Sequence, residues 1–76
     1  MKTFDFSRAL FELKNGSPLT RTGWNGANQY VKMQEPDGRS KMQTPYLYLR
    51  TIHGNLVPWI PSQEDLFAED WLIVTV

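Results

Sequence analysis

The chain contains no cysteine, so no disulfide framework and no thiolate metal site braces it. It contains one histidine, His53, too few for a zinc set built on imidazoles; the expectation is a turn residue before Gly54, with no metal and no cofactor. No stretch approaches the roughly 20 apolar residues that span a bilayer, and the N-terminus, Met1-Lys2-Thr3-Phe4-Asp5-Phe6-Ser7, lacks the apolar run of a secretion signal. A soluble, cytoplasmic chain without a membrane partner is expected. Neither a Walker loop nor Gly-x-Gly-x-x-Gly occurs. Basic residues are also missing from one part of the chain: none follows Arg50.

What is there is 76 residues, enough for one small domain over residues 1–76, which would bury only about 60% of the surface its unfolded chain exposes. Four Phe, three Tyr and three Trp must do the packing, or a partner subunit must help. Eight cations against Asp5, Glu12, Glu35 and Asp37 leave the first fifty residues at +4, while Glu64, Asp65, Glu69 and Asp70 set the remainder at −4. These parts can pair within one fold, meet across a subunit contact, or leave a basic surface for an anionic ligand. Scattered Lys and Arg at zero net charge do not make a phosphate-tracking stripe, so duplex nucleic acid is not an expected partner.

Phe6, Ala9, Leu10 and Leu13 recur at helical spacing, which predicts a helix over Asp5–Lys14, capped by Asp5 or Ser7 and stopped by Asn15-Gly16. After Pro18 a short extended piece, Leu19–Arg21, leads into the turn Thr22-Gly23-Trp24-Asn25-Gly26 and a strand over Tyr30–Met33 that can pair with it. Glu35–Gly38 reads as a turn, and Arg39–Thr44 as loop. Tyr46–Ile52 and Leu56–Val57 flank His53-Gly54-Asn55 as a hairpin, with Trp59 held in constrained backbone between Pro58 and Pro61. Ser62 and Asp65 are spaced as a capping box for a short helix from Gln63 to Ala68, and Trp71–Val76 reads as a buried strand. The fold class is α+β: an N-terminal helix, a small antiparallel sheet of four to five strands, and a short helix before the C-terminal strand.

Catalysis is not expected. The chain offers no nucleophile beside a base, and side chains of the consecutive Glu69 and Asp70 diverge, which suits a solvated or backbone-capping role better than a catalytic pair. Recognition remains, and the feature suited to it is aromatic rings set in turns. Trp24 and Trp59 are either platforms on which a base stacks or plugs for a small core, with Arg21 placed to meet a phosphate and Asn25 a base or ribose edge. Trp71, opening an apolar strand, is a core residue. Tyr30, Tyr46 and Tyr48 read as sheet and interface residues.

Three stretches together resemble a known phage family: Phe6-Ser-Arg-Ala-Leu-Phe-Glu-Leu-Lys-Asn-Gly16, Arg21-Thr-Gly-Trp-Asn-Gly26, and Val57-Pro-Trp-Ile-Pro-Ser-Gln-Glu-Asp-Leu-Phe-Ala-Glu-Asp-Trp71. Pro-Trp, then Ser-Gln-x-Asp, then Ala-Glu-Asp-Trp is similar to the second family of Thoeris anti-defence proteins, small sponges for immune signalling nucleotides. The resemblance implies a homotetramer in the host bacterial cytoplasm that holds a cyclic ADP-ribose isomer, or in some relatives a cyclic oligonucleotide, without cleaving it. By motif position it implies Arg21, Trp24, Asn25, Trp59, Ser62, Gln63 and Asp65 as pocket residues, although the capping box alone accounts for Ser62 and Asp65. The alternative is a module that docks on a host enzyme through Trp24 and Trp59 as interface anchors.

Overall fold

A computed structural model describes residues 2–24 and 28–75. Its elements run α1 (Phe6–Lys14), β1 (Leu19–Arg21), β2 (Tyr30–Gln34), β3 (Tyr46–Arg50), β4 (Leu56–Pro58), α2 (Gln63–Phe67) and β5 (Trp71–Ile73). The five strands form one antiparallel sheet in the order β4-β3-β2-β1-β5. This is the expected α+β architecture. Among the described residues no helix is long and apolar enough to cross a membrane.

Local chemistry explains most boundaries. Asp5 caps α1 by accepting the Arg8 amide at 3.1 Å, so the capping choice between Asp5 and Ser7 falls to Asp5; the Ser7 hydroxyl instead steadies that carboxylate at 2.7 Å. Beyond Asn15 the backbone turns left-handed at Gly16 (φ 89°), where a side chain would be strained. In the β3–β4 hairpin the Thr51 amide donates to the Asn55 carbonyl at 2.8 Å around Gly54 (φ 84°). Around α2 the capping box is complete, with Ser62 accepting the Asp65 amide and Asp65 accepting the Ser62 amide.

α1 begins at Phe6, β2 reaches Gln34 and α2 ends at Phe67, each one residue from expectation, and three further strand ends differ for reasons set by pairing. The C-terminal strand stops at Ile73 rather than running to the chain end, because Ile73 pairs with Leu19 and the next partner is Pro18. Pro18 accepts the Val74 amide at 2.9 Å but has no N–H to return, so the ladder ends. β3 likewise ends at Arg50, since Thr51 is committed to the turn. In the other direction β4 extends through Pro58, which a strand at the sheet edge tolerates.

Strand alternation sorts the side chains into two faces. Register places Leu19, Arg21, Val31, Met33, Leu47, Leu49, Val57 and Trp71 on the side where α1 packs. There Ala9 and Leu13 of α1 meet Leu19, Val31 and Trp71, all fully buried, while Leu10 lies at the rim of the helical stripe and is exposed. The opposite face presents Thr20, Tyr30, Lys32, Gln34, Tyr46, Tyr48, Arg50 and Leu72, and neither helix covers it. The sheet edges also differ. Phe4 bridges to Trp71 through reciprocal bonds of 2.9 and 3.1 Å and so closes the β5 edge, whereas β4 forms the other edge, with Leu56 exposed on it.

Candidate functional site

The pairing of β1 with β5 sets Arg21 opposite Trp71, and this register assembles a network from segments far apart in sequence. The Arg21 Nε donates to Asp70 Oδ1 at 2.7 Å and its Nη1 to Asp65 Oδ1 at 2.9 Å. Asp65 Oδ1 also accepts the Trp24 indole N–H at 3.3 Å, and Oδ2 accepts the Ser62 amide at 3.0 Å. The Asp65 carbonyl accepts the buried Trp71 indole N–H at 2.9 Å. Asp70 Oδ2 takes the Gly23 amide at 2.9 Å and the Thr22 hydroxyl at 3.1 Å. The charge asymmetry of the chain thus resolves, at this point, as pairing within the fold.

These contacts set the protonation states. Burial pushes the Asp65 carboxyl up, but the bonds from the Ser62 amide, Arg21 and Trp24 together outweigh it and hold the group below its usual range. At Asp70 the Arg21 guanidinium has the largest effect and, with the Gly23 and Thr22 donors, also lowers the pKa against a smaller opposing effect of burial. Arg21 is raised in turn, chiefly by its bond to Asp70.

The three tryptophans join the same assembly. Trp24 and Trp71 meet edge-to-face with ring centroids 5.4 Å apart, Trp59 and Trp71 at 6.0 Å, and Trp24 and Trp59 at 6.3 Å. Phe6 of α1 packs on Trp71 at 5.5 Å. Trp71 is wholly buried, as expected of a core residue, and Trp24 and Trp59 are half-buried against it. Of the two readings open for those rings, the packing one is realised on the side that faces Trp71, and each retains partly exposed surface.

The residues expected in a pocket therefore divide. Arg21, Trp24, Trp59, Ser62 and Asp65 come together in one cluster; Gln63 is exposed on the first turn of α2; Asn25 lies outside the described residues. Asp70 is an equal member of the network, in the backbone-capping role that suits it. His53 stands in the exposed hairpin turn, and among the described residues no group of three His, Asp or Glu is arranged to hold a metal ion.

A second surface was not singled out from the sequence. On the helix-free face Tyr30 and Lys32 of β2 adjoin Tyr48 and Arg50 of β3, and a cleft of about 390 Å³ is lined there by Pro18, Asn28, Gln29, Tyr30, Lys32, Arg50 and Val74. The register sets Tyr48 diagonal to Tyr30 and on the same face as Tyr46, and burial first, then these two phenols, push the Tyr48 hydroxyl up. The alternations Tyr30-x-Lys32-x-Gln34 and Tyr46-x-Tyr48-x-Arg50 carried this arrangement in the sequence.

Comparison with known proteins agrees with the sequence motifs. The family model described as Tad2-like, the Thoeris anti-defense 2-like domain, matches residues 4–74. A relative named Thoeris anti-defense 2, from Bacillus phage SP01, is 33% identical over 89 aligned residues covering 99% of this chain and 100% of the relative. The chain belongs to the Tad2-like family of Thoeris anti-defence proteins, and with that membership comes a phage anti-defence role.

Proposed function

We propose that this protein acts by sequestration: it binds a cyclic nucleotide immune signal, a cyclic ADP-ribose isomer or a cyclic oligonucleotide, and holds it intact in the host cytoplasm so that the effector is not activated. Membership of the anti-defence family over nearly the whole chain carries this reading. The site chemistry supports holding over cleaving. The carboxylates of Asp65 and Asp70 each accept three donors from the protein itself, so neither is placed as a general base. Trp24, Trp59, Ser62 and Gln63 are the members of the expected pocket with surface left to meet a ligand, and Arg21 and Asp65 tie the cluster together.

Assembly is part of the proposal. Ile60 and Phe67 are 87% and 80% exposed, and Leu56 is exposed on the open β4 edge. Burying such side chains is worth about 1.5–3 kcal/mol each, and a homotetramer provides the means. Light scattering should give four times the 8.8 kDa protomer mass. Isothermal titration with cyclic ADP-ribose isomers and cyclic di- and trinucleotides tests sequestration: binding is expected, followed by release of unchanged ligand on denaturation. No heat with any of them overturns it. The same exposed apolar residues favour the second reading, docking on a host enzyme; in that case titration is silent and affinity capture returns one host protein in stoichiometric amount.

A further inference from the structure

We propose that the cleft on the helix-free face of the sheet is a phosphate-binding site, in which Lys32 and Arg50 flank a phosphate or pyrophosphate and the Tyr30 ring meets the group attached to it. Sequestration supplies the ligand class, a nucleotide; the location and the roles of these residues rest on the geometry of the face.

The face is chemically one-sided. Lys32 and Arg50 are diagonal neighbours, since Tyr30 pairs with Arg50 and Lys32 with Tyr48, which sets them about 7–8 Å apart. Two long cationic side chains at that spacing close on one phosphate group from opposite sides. The ion pairs engage Arg8 with Glu12 and Arg21 with Asp65 and Asp70, and among the described residues neither Lys32 nor Arg50 has a carboxylate partner. No acidic residue occurs among the strand residues of this face. Arg21, by contrast, has two carboxylates already, so of the cations near an aromatic ring it is the least available to an anion.

Arg50 is also positioned in advance. Its Nη1 donates to the Asn28 carbonyl at 2.7 Å, which fixes the guanidinium at the cleft wall, and among the described residues no carboxylate engages its other nitrogens. Asn28 itself sits at φ 65°, a conformation that Asn tolerates better than most residues, so the loop carbonyl is presented to Arg50 by backbone geometry. A volume of about 390 Å³ falls in the range of roughly 300–1,000 Å³ typical of small-molecule sites. A second copy laid face to face would oppose these cations to their own images, whereas a nucleotide supplies both the negative charge and a ring for the tyrosines.

The test is calorimetry at low and high salt on the wild-type protein and on Lys32→Gln, Arg50→Gln and Arg50→Lys, each shown to be folded by its thermal transition. The ligands are a cyclic ADP-ribose isomer, a cyclic dinucleotide and inorganic pyrophosphate. The expected result is a loss of affinity of about ten- to a hundredfold for either Gln variant, partial recovery in Arg50→Lys, and a weaker salt dependence in the Gln variants. Wild-type-like nucleotide binding by both Gln variants overturns the site and leaves sequestration standing. Pyrophosphate binding that depends on Lys32 and Arg50 without any nucleotide binding supports the site and overturns sequestration. Absence of both overturns the two together.

Discussion

Arg21 and Asp70, 49 residues apart in sequence, are joined by a hydrogen bond of 2.7 Å from Nε to Oδ1, and the same guanidinium reaches Asp65 at 2.9 Å. One side chain thus ties β1 both to the capping box of α2 and to the residue that precedes β5. Removing it as Arg21→Ala leaves two neighbouring carboxylates without their cation, a change that costs about 3–5 kcal/mol for a largely buried pair. A 76-residue domain has about 4–11 kcal/mol in total. Urea unfolding followed by tryptophan fluorescence should show the Ala variant with a much lower midpoint, having lost about 3–5 kcal/mol of that total. Arg21→Lys should be intermediate, because an ammonium lacks the planar fork that serves two carboxylates.

Acid should unfold the protein through the same groups. Asp65 and Asp70 have pKa values lowered by folding, so the unfolded chain takes up protons first as pH falls. Their contribution is complete above the ordinary carboxylate pKa of about 3.9 and is lost as pH drops through the lower folded values. Thermal midpoints measured from pH 7 down to pH 2 should fall most steeply below about pH 4. The Asp70→Asn variant should be less stable at pH 7 and show a shallower fall.

The indoles should separate by position. Trp71→Phe removes a buried donor from the Asp65 carbonyl and leaves space among Leu13, Leu19 and Val31, for an expected loss of about 3 kcal/mol or more. Trp24→Phe keeps a ring against Trp71 and gives up only a 3.3 Å bond, an expected loss of about 1 kcal/mol. Chemical denaturation yields both values, and near-ultraviolet circular dichroism should weaken in each variant as edge-to-face pairs are lost.

Gly23 offers a smaller, geometric probe. A Cβ placed there would stand 3.0 Å from Asp70 Oδ2, the atom that accepts the Gly23 amide. Gly23→Ala should displace the carboxylate and lower the unfolding midpoint by the equivalent of about 1–2 kcal/mol. The readout is distinct from backbone strain, since Asp70→Asn combined with Gly23→Ala should lose less than the sum of the two.

The elements visible in the sequence are those whose determinants lie within a few residues. The Phe6–Leu13 periodicity, the Gly54 turn and the Ser62–Asp65 box each act over one or two turns of chain, and each forms as expected. What could not be seen is what strand pairing brings together. Small polar neighbours around Trp24 suggest a ring with nothing to pack on, yet the β1–β5 ladder sets Trp71 beside it. The capping box accounted for Asp65, but its bonds to Arg21 and Trp24 span more than forty residues and leave no local trace. Val74 illustrates the reverse: its β-branched, apolar character favours a strand, and the missing N–H of Pro18, on another segment, ends it.

The helix-free face has an evolutionary consequence. The helices, the indole cluster and the Arg21 network all lie on the other side of the sheet, so Tyr30, Lys32, Tyr48 and Arg50 answer to few structural demands. Substitutions there can alter the proposed anion site while the scaffold keeps its stability. A sheet divided in this way is evolvable: one face conserves the architecture, and the other is free to follow a changing chemical target.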